Sequence, residues 1–443
     1  MADERATVSK PLLQQSYWPD QQASAPAPCC TKLSPMGLPN RQDSEAALQP
    51  WQQALARAAA AVPEANRRRL RSFCPGESCQ LKPQQPELQE DSAEALLDLS
   101  SNDYLGLSGH PAILAAAQQE LSSSGLGAGA SRLVSGTRAI HVRLETMLAA
   151  WLGRERALLF PSGFQANIAA VSALADRHSL VLADRLIHHS LLAGVRCSGA
   201  RLQRFAHNDL GDLERRLNTA RGAKANQRLV VLSESLFSME GTSPDTPALV
   251  ALCERYGAAL VLDEAHALGV MGSGGRGLGF GQPGIALISG TFGKALGSGG
   301  AFLTGDAATI EWLLQSSGAF RYTTALAPVL AAGAAAALNW IQQQQKSGQD
   351  PALVLQQRAA RWRQAIAAAG WPKPAGTGPV LPLLVGSEQR ALELQQRLEL
   401  QGLLCVAIRP PTVPKGSARL RIVLRHDLPA GSLSRLLGAL GAP

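Results

Sequence analysis

The segment ALVLDEAHALGVMG contains two side chains that could take part in catalysis or ligand binding, Asp263 and His266. An apolar stretch ends at Asp263, and His266 follows three residues later. A carboxylate at a strand end can pair with a cationic ring nitrogen and keep it protonated, and a nearby imidazole can face the same ligand. In the alternative interpretation, Asp263 caps a helix and His266 is an ordinary loop histidine. This fragment by itself leaves both interpretations open.

Further along the chain, LISGTFGKALGSGG leads through Thr291 and Lys294 into a glycine-rich turn. A lysine held among small residues in an apolar crevice is desolvated, which lowers the pKa of its amine and frees it to form a Schiff base. The alternative is a surface lysine in a glycine-rich loop. Because this turn follows so soon after the Asp-x-x-His segment, the two segments together favour a catalytic lysine over a surface lysine.

A third segment, FPSGFQAN, is typical of a turn from a strand into a helix. Ser162 and Gly163 stand at this turn, where the backbone N–H groups of a helix N-terminus can cradle a phosphate. The pattern is weak by itself, because many α/β turns have this composition. His141 lies in an amphipathic helical segment, and it either packs at the edge of the core or stacks over a flat ligand.

These segments need a scaffold that brings strand ends together. Short apolar runs that end in polar residues, such as RALLF, LVVLSES and AALVLDEAH, are separated by helical patterns such as RAIHVRLETMLAAWLG. This alternation predicts an α/β fold with a mostly parallel sheet between two layers of helices. Ligands of such sheets bind beyond the carboxyl ends of the strands. We therefore expect the polar strand ends to form the site.

The 443 residues divide into four predicted parts. Residues 1–45 are rich in Pro, Gln, Ser and Ala without hydrophobic periodicity, which predicts a disordered N-terminal extension. Residues 46–98 predict a helix that Pro63 interrupts and a surface loop near 82–95. Residues 99–325 predict the large domain with the segments above. Residues 326–443 predict a smaller C-terminal α/β domain that begins with an alanine-rich helix and has strands at PVLPLLVG and ARLRIVLR.

Composition excludes several classes of protein. A hydrophobic fraction of 46% with 17% charged residues is typical of a compact α/β enzyme. No apolar stretch reaches the roughly 18 residues of a membrane span, and MADERATVSK does not predict a secretory signal. The net charge of +8 fits an ordinary basic surface or a polyanionic substrate such as coenzyme A or an acidic carrier protein. No nucleic-acid partner is expected, since long Lys/Arg runs and aromatic–basic interleaving are missing.

The seven cysteines match no common zinc-ligand spacing, so no metal site is predicted. Redox chemistry at Cys74 and Cys79, in the CPGESC segment, is conceivable, but scattered thiols are the favoured interpretation. Such cysteine usage is typical of a reducing cytoplasm, which is the expected location.

Taken together, these segments resemble the α-oxoamine synthases, a branch of the fold-type I enzymes that depend on pyridoxal 5'-phosphate (PLP). The likeness runs from about residue 98 to the C-terminus, and more loosely back to about residue 50. It rests on the stretches SSNDYLGLS, RLVSGT, ALLFPSGFQAN, ADRLIHHSLL, RFAHND, FSMEG, DEAHALGVMG, GRGLG, TFGKALG and AIRPPTVPKGSARLRI. The first nine largely mark the branch. The last is long and unusual in composition, and it separates the members.

The resemblance implies a fold-type I PLP-dependent transferase and a role for each matching residue. Lys294 would hold the cofactor as a Schiff base, and Asp263 would pair with its pyridinium nitrogen. His266 would hydrogen-bond its phenolic oxygen, and His141 would stack on its ring. Further residues expected to bind PLP are Ser162, Gly163 and Phe164 around the ring and phosphate, Ser238 beside the ring, Thr291 at the phosphate, and Thr323 and Thr324 at the phosphate of a partner subunit's cofactor. The residues expected at the substrate are Arg67, Asn102, His207 and Arg409. Of these, His207 would also border the ring, and Arg409 would hold the amino-acid carboxylate.

Within this family the likeness is greatest to the members of biotin synthesis. It implies L-alanine and a pimeloyl thioester as substrates, the latter carried by coenzyme A or by acyl-carrier protein. Lys294 would remove the α-proton of alanine, the carbanion would attack the thioester, and the resulting β-keto acid would lose CO2. The resemblance also implies a homodimer with its sites at the interface.

Three alternatives share parts of this pattern. The glycine-using synthases are near neighbours, but the AIRPPTVP stretch argues against them. An aminotransferase shares the fold and the lysine, but it would release no CO2. A non-catalytic scaffold subunit would be expected to lack the lysine, whereas Lys294 is present. One departure from the family is Ala267, where many members have glycine; since alanine is also small, little effect is expected.

Overall fold

A seven-stranded sheet between helices forms the centre of the computed structural model, which describes residues 49–63, 67–77, 79–84 and 94–443. The predicted extension, residues 1–45, lies outside the described residues, as does most of the loop predicted near 82–95. The strands, in chain order, are β1 (Ser72–Pro75), β2 (Gln80–Gln84), β3 (Leu96–Asp98), β4 (Arg156–Phe160), β5 (Leu180–Asp184), β6 (Arg201–Phe205), β7 (Leu229–Glu234), β8 (Ala259–Asp263), β9 (Ile285–Thr291), β10 (Ala301–Gly305), β11 (Val380–Gly386), β12 (Leu403–Leu404), β13 (Val406–Ile408) and β14 (Ala418–Val423).

Helices alternate with the strands of the large sheet. In chain order they are α1 (Pro50–Ala60), α2 (Pro111–Ser124), α3 (Ala139–Leu152), α4 (Gly163–Leu174), α5 (His189–Ser198), α6 (Leu210–Ala223), α7 (Thr246–Arg255), α8 (Ala307–Ser316), α9 (Gly318–Arg321), α10 (Pro328–Lys346), α11 (Pro351–Ala368), α12 (Glu388–Leu400) and α13 (Ser432–Leu440). The alanine-rich helix predicted after residue 325 is α10, and the helix predicted before Pro63 is α1. None of the described helices is long and apolar enough to cross a membrane.

The large sheet has the strand order β4-β10-β9-β8-β7-β5-β6. The neighbouring strands from β9 to β6 are parallel, and β10 is antiparallel to both strands beside it. Apolar side chains of α4, α5 and α8 form one core with the sheet, and those of α6 and α7 form another. The predicted α/β fold with a mostly parallel sheet between two helical layers is therefore confirmed.

The strands at the middle of this sheet place polar residues at one edge, where the sequence predicts the site. Because helices cover both faces, β7 and β8 are buried over almost their whole length, which explains the continuous apolar runs LVVLSE and ALVLD. The parallel strands β7, β8 and β9 end at Glu234, Asp263 and Thr291, so these three residues lie at the same edge of the sheet.

Two smaller sheets involve the C-terminal part of the chain. The strands predicted at PVLPLLVG and ARLRIVLR are β11 and β14, and they pair in the antiparallel sheet β11-β14-β13. In the other sheet, of order β1-β2-β3-β12, Leu403 of β12 lies opposite Leu97 of β3. The N–H of Val423 also donates to the carbonyl of Leu99 at 2.8 Å. Residues just after β3 are thereby held against β14, while the predicted four-part division of the chain stays a prediction.

Candidate active site

The carboxylate of Asp263, at the end of β8, accepts hydrogen bonds at both oxygens. Oδ2 accepts from Nδ2 of Asn167 on α4 at 2.7 Å, and Oδ1 accepts from the N–H of Ala265 at 2.9 Å. The residue is only 5% exposed, and no described Lys, Arg or His forms an ion pair with it. No regular helix begins here, since the next described helical turn starts at Ser273. Such a carboxylate is suited to pair with a cationic group of a ligand.

Glu234, which the sequence interpretation does not single out, lies directly opposite Asp263 on the adjacent strand β7. Its Oε1 accepts a hydrogen bond from the backbone N–H of His188 at 2.5 Å. Burial, followed by the nearby charge of Asp263, raises the pKa of Glu234 well above its ordinary value. Burial therefore favours the protonated, neutral form of Glu234.

Lys294 lies in the turn between β9 and β10, with the buried side chains of Phe292, Ala295 and Leu296 around it in the chain. Burial lowers the pKa of its amine to about 8, although the nearby carboxyl groups of Asp263 and Glu234 act in the opposite direction. A substantial fraction of the amine is therefore neutral, and nucleophilic, near physiological pH. This is the environment that the sequence predicts for a Schiff-base lysine.

His266 is a buried, oriented imidazole. Its Nδ1 shares a hydrogen bond of 2.6 Å with the hydroxyl of Tyr104. Burial, together with the positive charges of Lys294 and Arg421, lowers the pKa of His266 well below its ordinary value, so the ring is neutral. Tyr104 is fully buried, and burial raises its pKa to about 12, so it keeps its proton. The interpretation of His266 as an ordinary loop histidine does not agree with this arrangement.

Arg421 reaches the same site from β14 and was not predicted. Its Nη2 donates to Oδ1 of Asn102 at 2.9 Å, and its Nε donates to the carbonyl of Ser238 at 2.7 Å. The hydroxyl of Tyr104 lies 3.3 Å from the same oxygen of Asn102, which links Arg421 to His266. Both acceptors are neutral, and no described carboxylate forms an ion pair with this buried guanidinium. Arg421 is thus suited to bind a carboxylate of a ligand.

A signal for Arg421 was present in the sequence. The stretch ARLRIV predicts a buried strand, and Arg419 and Arg421 stand two residues apart within it, on the same face. Charged side chains inside an otherwise apolar strand need buried partners, and both arginines have them: Arg419 donates to the carbonyl of Met239 at 3.0 Å. Spacing alone does not identify these partners, because they lie some 180 to 319 residues away in the chain.

His141, near the start of α3, is fully buried and hydrogen-bonded at both nitrogens. Nδ1 accepts from the N–H of Arg138 at 3.0 Å, and Nε2 donates to the carbonyl of Leu326 at 2.8 Å. Burial, with the nearby charge of Arg132, lowers the pKa of His141, so the ring is neutral. The two bonds fix the orientation of the ring, and its predicted stacking on a ligand stays a prediction.

The strand-to-helix turn at FPSGFQAN has the predicted form. Ser162 caps α4, and its Oγ accepts from the N–H of Gln165 at 3.3 Å. A Cβ added at Gly163 would lie 3.8 Å from Cβ of Thr291, so the end of β9 adjoins the first turn of α4. The N–H groups of this first turn have no acceptors within the helix and can receive an anion. Phe164 follows and is 46% exposed, with its ring 6.3 Å from that of His189.

His207 is hydrogen-bonded at both ring nitrogens by protein groups. Nδ1 lies 3.0 Å from Oδ1 of Asp184, and Nε2 lies 2.8 Å from Oγ1 of Thr242. Its ring stands edge-on to Phe237, at 4.5 Å between centroids. These contacts support the loop that leads into Ser238, and the expected contact of His207 with a substrate stays a prediction.

Four predicted residues lie on more exposed segments. Thr324 forms an isolated antiparallel bridge with Ser131, and Thr323 precedes it. The side chain of Arg68 donates to Oγ1 of Thr412 at 3.1 Å, so the segment that carries Arg67 adjoins the one that carries Arg409. The roles assigned to Thr323, Thr324, Arg67 and Arg409 stay predictions.

Comparison with known proteins agrees with this geometry. The family described as aminotransferase class I and II matches residues 94–440. The chain is 43% identical over 362 residues to the 8-amino-7-oxononanoate synthase of Stutzerimonas stutzeri, across 81% of this chain and 90% of that protein.

The chain belongs to the aminotransferase class I and II family. Within this family it groups with the 8-amino-7-oxononanoate synthases by sequence. A solved 8-amino-7-oxononanoate synthase from Francisella tularensis is 25% identical, with a TM-score of 0.66 over 79% of this chain and 96% of that chain. A solved structure of a serine palmitoyltransferase with PLP has a TM-score of 0.78 over 88% of this chain and 94% of that chain. At 24% identity, this second likeness shows the shared fold.

As a member of this family, the chain uses PLP, and its residues fit that cofactor. The buried carboxylate of Asp263 suits a cationic ring nitrogen, and the lowered pKa of Lys294 makes its amine available for the cofactor's aldehyde. The N-terminus of α4 beside Thr291 suits the phosphate. No group of three or more His, Cys, Asp or Glu side chains among the described residues is placed to hold a metal ion.

Proposed function

We propose that this protein joins L-alanine to a pimeloyl thioester with loss of CO2, and so forms 8-amino-7-oxononanoate and a free thiol in biotin synthesis. The observation that carries the proposal is the meeting of Lys294, Asp263 and Arg421 at one site. The chain is also 43% identical to a synthase with this name across 90% of that protein. An amine, an ionised carboxylate and a carboxylate-binding guanidinium are the groups that this reaction requires.

PLP, when bound, supplies an electron-withdrawing ring that stabilises negative charge at the α-carbon of an amino acid. Asp263 would hold a proton on a basic nitrogen placed against its carboxylate, because that carboxylate is buried and oriented by two hydrogen bonds. His266 is held neutral and oriented by Tyr104, and its role is to donate a hydrogen bond from Nε2 to an oxygen acceptor. His141, Phe164 and Ser238 border the ring in this proposal.

The amine of Lys294 moves the proton of the α-carbon. With a pKa of about 8, the amine accepts a proton readily once it is free, and it can return that proton at the end of the cycle. An ordinary lysine would be almost fully protonated at neutral pH and would be a poor base. Burial of Lys294 is therefore what makes it a catalyst.

Arg421 binds the carboxylate of L-alanine in this proposal, with Asn102 beside it. The guanidinium is already oriented by Asn102 and Ser238, so Arg421 loses little conformational entropy when the substrate binds. The sequence predicts this role for Arg409, which stays the second candidate. Arg67 and His207 are proposed to lie on the path of the acyl substrate.

A homodimer is proposed, with the site near the interface. The large apolar side chains of Leu126, Val134 and Tyr322 are exposed on the surface. Leu126 and Val134 lie on either side of Ala130, whose carbonyl accepts from the N–H of Ala325, one residue after Thr324. A second copy that covers this surface would meet Thr323 and Thr324, which supports their proposed contact with the partner subunit's cofactor.

The acyl carrier is proposed to be coenzyme A or acyl-carrier protein, since the net charge of +8 favours either polyanion. The cytoplasm is the proposed location. None of the five described cysteines forms a disulfide, which is compatible with that compartment.

Product analysis tests the proposal. Purified protein is incubated with PLP, carboxyl-labelled L-alanine and pimeloyl-CoA, and labelled CO2, free thiol and 8-amino-7-oxononanoate are measured. Equal yields of the three support the proposal. Glycine used in preference to alanine would move the chain to the glycine-using synthases, and transfer of the amino group without CO2 would indicate an aminotransferase.

A further inference from the structure

We propose that Asn167 is a positioning residue that orients the carboxylate of Asp263, at the end of a one-way hydrogen-bond chain that runs through Ser190 and His188. The inference rests on the proposed role of Asp263. It goes beyond that role, because it assigns a function to three side chains that do not themselves carry out the reaction.

The amide of Asn167 is the branch point of this chain. The residue lies on α4 and is 2% exposed. Its Nδ2 donates one hydrogen to Oδ2 of Asp263 at 2.7 Å and the other to Oγ of Ser190 at 2.9 Å. Both hydrogens are therefore used, and the direction of each bond is set by the amide.

The hydrogens available on Ser190 and His188 fix the direction of the remaining hydrogen bonds. Oγ of Ser190 accepts from Asn167, and it lies 2.7 Å from Nδ1 of His188. The backbone N–H of Ser190 also donates to that Nδ1, at 3.3 Å, so Nδ1 is an acceptor. The hydroxyl of Ser190 therefore donates to His188, and the bonds from Asn167 through Ser190 to His188 run in one direction. Partial burial lowers the pKa of His188, although the nearby charge of Asp263 acts in the opposite direction, and this agrees with a neutral ring.

The chain also excludes the opposite orientation of the amide. Oδ1 of Asn167 is buried and has no hydrogen-bond partner among the described residues. If the amide were rotated, this oxygen would face the carboxylate oxygen of Asp263 and the oxygen of Ser190 instead. Two acceptors in contact repel each other, so the rotated amide would push the carboxylate away from its position. The unpartnered oxygen remains because both hydrogens serve Asp263 and Ser190.

The packing of α5 against α4 allows the hydrogen bond between Ser190 and Asn167 to form. Gly194 lies one turn after Ser190 on α5, at the contact with α4. A Cβ at position 194 would lie 2.8 Å from Cβ of Val171 and 3.0 Å from the carbonyl oxygen of Asn167. Only a residue without a side chain lets the two helices approach this closely, and this approach brings Ser190 within hydrogen-bond distance of Asn167.

Three variants of the full-length protein test the proposal. Asn167→Ala removes the donor, Asn167→Asp replaces it with a group of the same shape that repels Asp263, and Ser190→Ala removes only the second link. Ser172→Ala is the matched control, since its hydroxyl on the same helix donates to the backbone carbonyl of Ile168. PLP affinity of the cofactor-free protein is measured by absorbance titration, together with the visible spectrum of the loaded protein and the thermal unfolding temperature of both forms.

We expect the dissociation constant for PLP to rise about ten- to a hundredfold in Asn167→Ala, the loss typical when a partner that orients a ligating group is removed. Asn167→Asp should lose more, Ser190→Ala less, and Ser172→Ala should match the wild type. The visible band should shift in the two Asn167 variants. A lower unfolding temperature with unchanged PLP affinity and an unchanged spectrum would overturn the proposal and leave Asn167 a purely structural residue. A greater loss in Ser190→Ala than in Asn167→Ala would overturn it as well.

These readouts are independent of the acyl substrate. If the wild-type protein forms no 8-amino-7-oxononanoate, the proposed function fails while the PLP titrations still decide the role of Asn167. If the wild-type protein forms product and the Asn167 variants bind PLP as the wild type does, only the present inference fails.

Discussion

Glu234 and Asp263 lie directly opposite each other at the ends of adjacent parallel strands, yet their carboxyl groups have different hydrogen-bond partners. Burial raises the pKa of Glu234 well above its ordinary value, and the charge of Asp263 adds to this effect. Asp263 accepts hydrogen bonds from Asn167 and Ala265, which stabilise its ionised form. Burial therefore favours the neutral form of Glu234, while two hydrogen bonds hold the carboxylate of Asp263 beside it.

Paired substitutions test this division. Glu234→Gln should change kcat/KM by less than about threefold, because a neutral amide replaces a neutral acid and its oxygen can still accept from the N–H of His188. At saturating PLP, Asp263→Asn should still take up the cofactor but lower kcat by several orders of magnitude, because the charge opposite the cofactor is lost. Steady-state kinetics of both variants with L-alanine and pimeloyl-CoA give the answer. Equal losses in the two variants would mean that both carboxyl groups are ionised.

The raised pKa of Glu234 also predicts a pH dependence of stability. A folded-state pKa above the unfolded one contributes stability that is fully present below the unfolded pKa and is lost as pH rises through the folded value. The free energy of unfolding of the wild type should therefore fall as pH rises from the pKa of Glu234 in the unfolded protein to its raised pKa in the folded protein. Urea denaturation of the cofactor-free protein measures this fall. In Glu234→Gln this part of the decline should be missing. A parallel pH profile for the two proteins would contradict the assigned protonation state.

Lys294→Ala should abolish the covalent attachment of PLP and turnover, because no other amine is expected to replace it. Mass spectrometry after borohydride reduction checks the attachment, and product formation checks the turnover. Arg276→Ala is a suitable control for a changed charge, since its guanidinium stacks on Phe280. Normal turnover in Lys294→Ala would remove this lysine from the mechanism.

The pKa of about 8 for Lys294 predicts how fast the cofactor-free protein takes up PLP. Only the neutral amine attacks the aldehyde of PLP, so the attachment rate should rise with pH and level off above a midpoint near 8. At that pH an ordinary lysine would have on the order of a hundredfold less neutral amine. Stopped-flow absorbance over a pH series measures the midpoint. A midpoint near 10.5, the ordinary value, would show that the lysine is not desolvated as described.

Arg421 and Arg409 are distinguished by their effect on alanine. Arg421→Lys should raise KM for L-alanine about a hundredfold, because a lysine loses the fixed, two-pronged geometry that a carboxylate requires. Arg409→Lys should have a smaller effect on the same KM, and KM for pimeloyl-CoA should be unchanged in Arg421→Lys. If Arg409→Lys gives the larger rise for alanine, the role predicted from the sequence is correct and Arg421 only supports Asn102.

The sequence predicted those features that depend on neighbouring residues in the chain. The alternation of apolar strands and helical segments gave the correct fold class, and β4, β11, β14 and α10 lie where their patterns predict them. Asp263, Lys294 and Ser162 were singled out because they stand at a strand end, in a glycine-rich turn and at a helix start, positions that local composition reveals. Their assigned roles as a group came from the resemblance of several such motifs to one family.

Tertiary structure decided which distant residues meet at that edge. Arg421 and Asn102 are 319 positions apart, and Asn167 and Asp263 are 96 apart, yet both pairs are joined by hydrogen bonds. Periodicity specifies which face of a strand or helix is buried, but it does not specify which element packs against that face. The order of strands, the close approach of α4 and α5 at Gly194, and the burial that shifts the pKa values of Glu234 and Lys294 all arise from that packing. The sequence by itself therefore predicted which groups could react, and the folded chain determined which residues surround them.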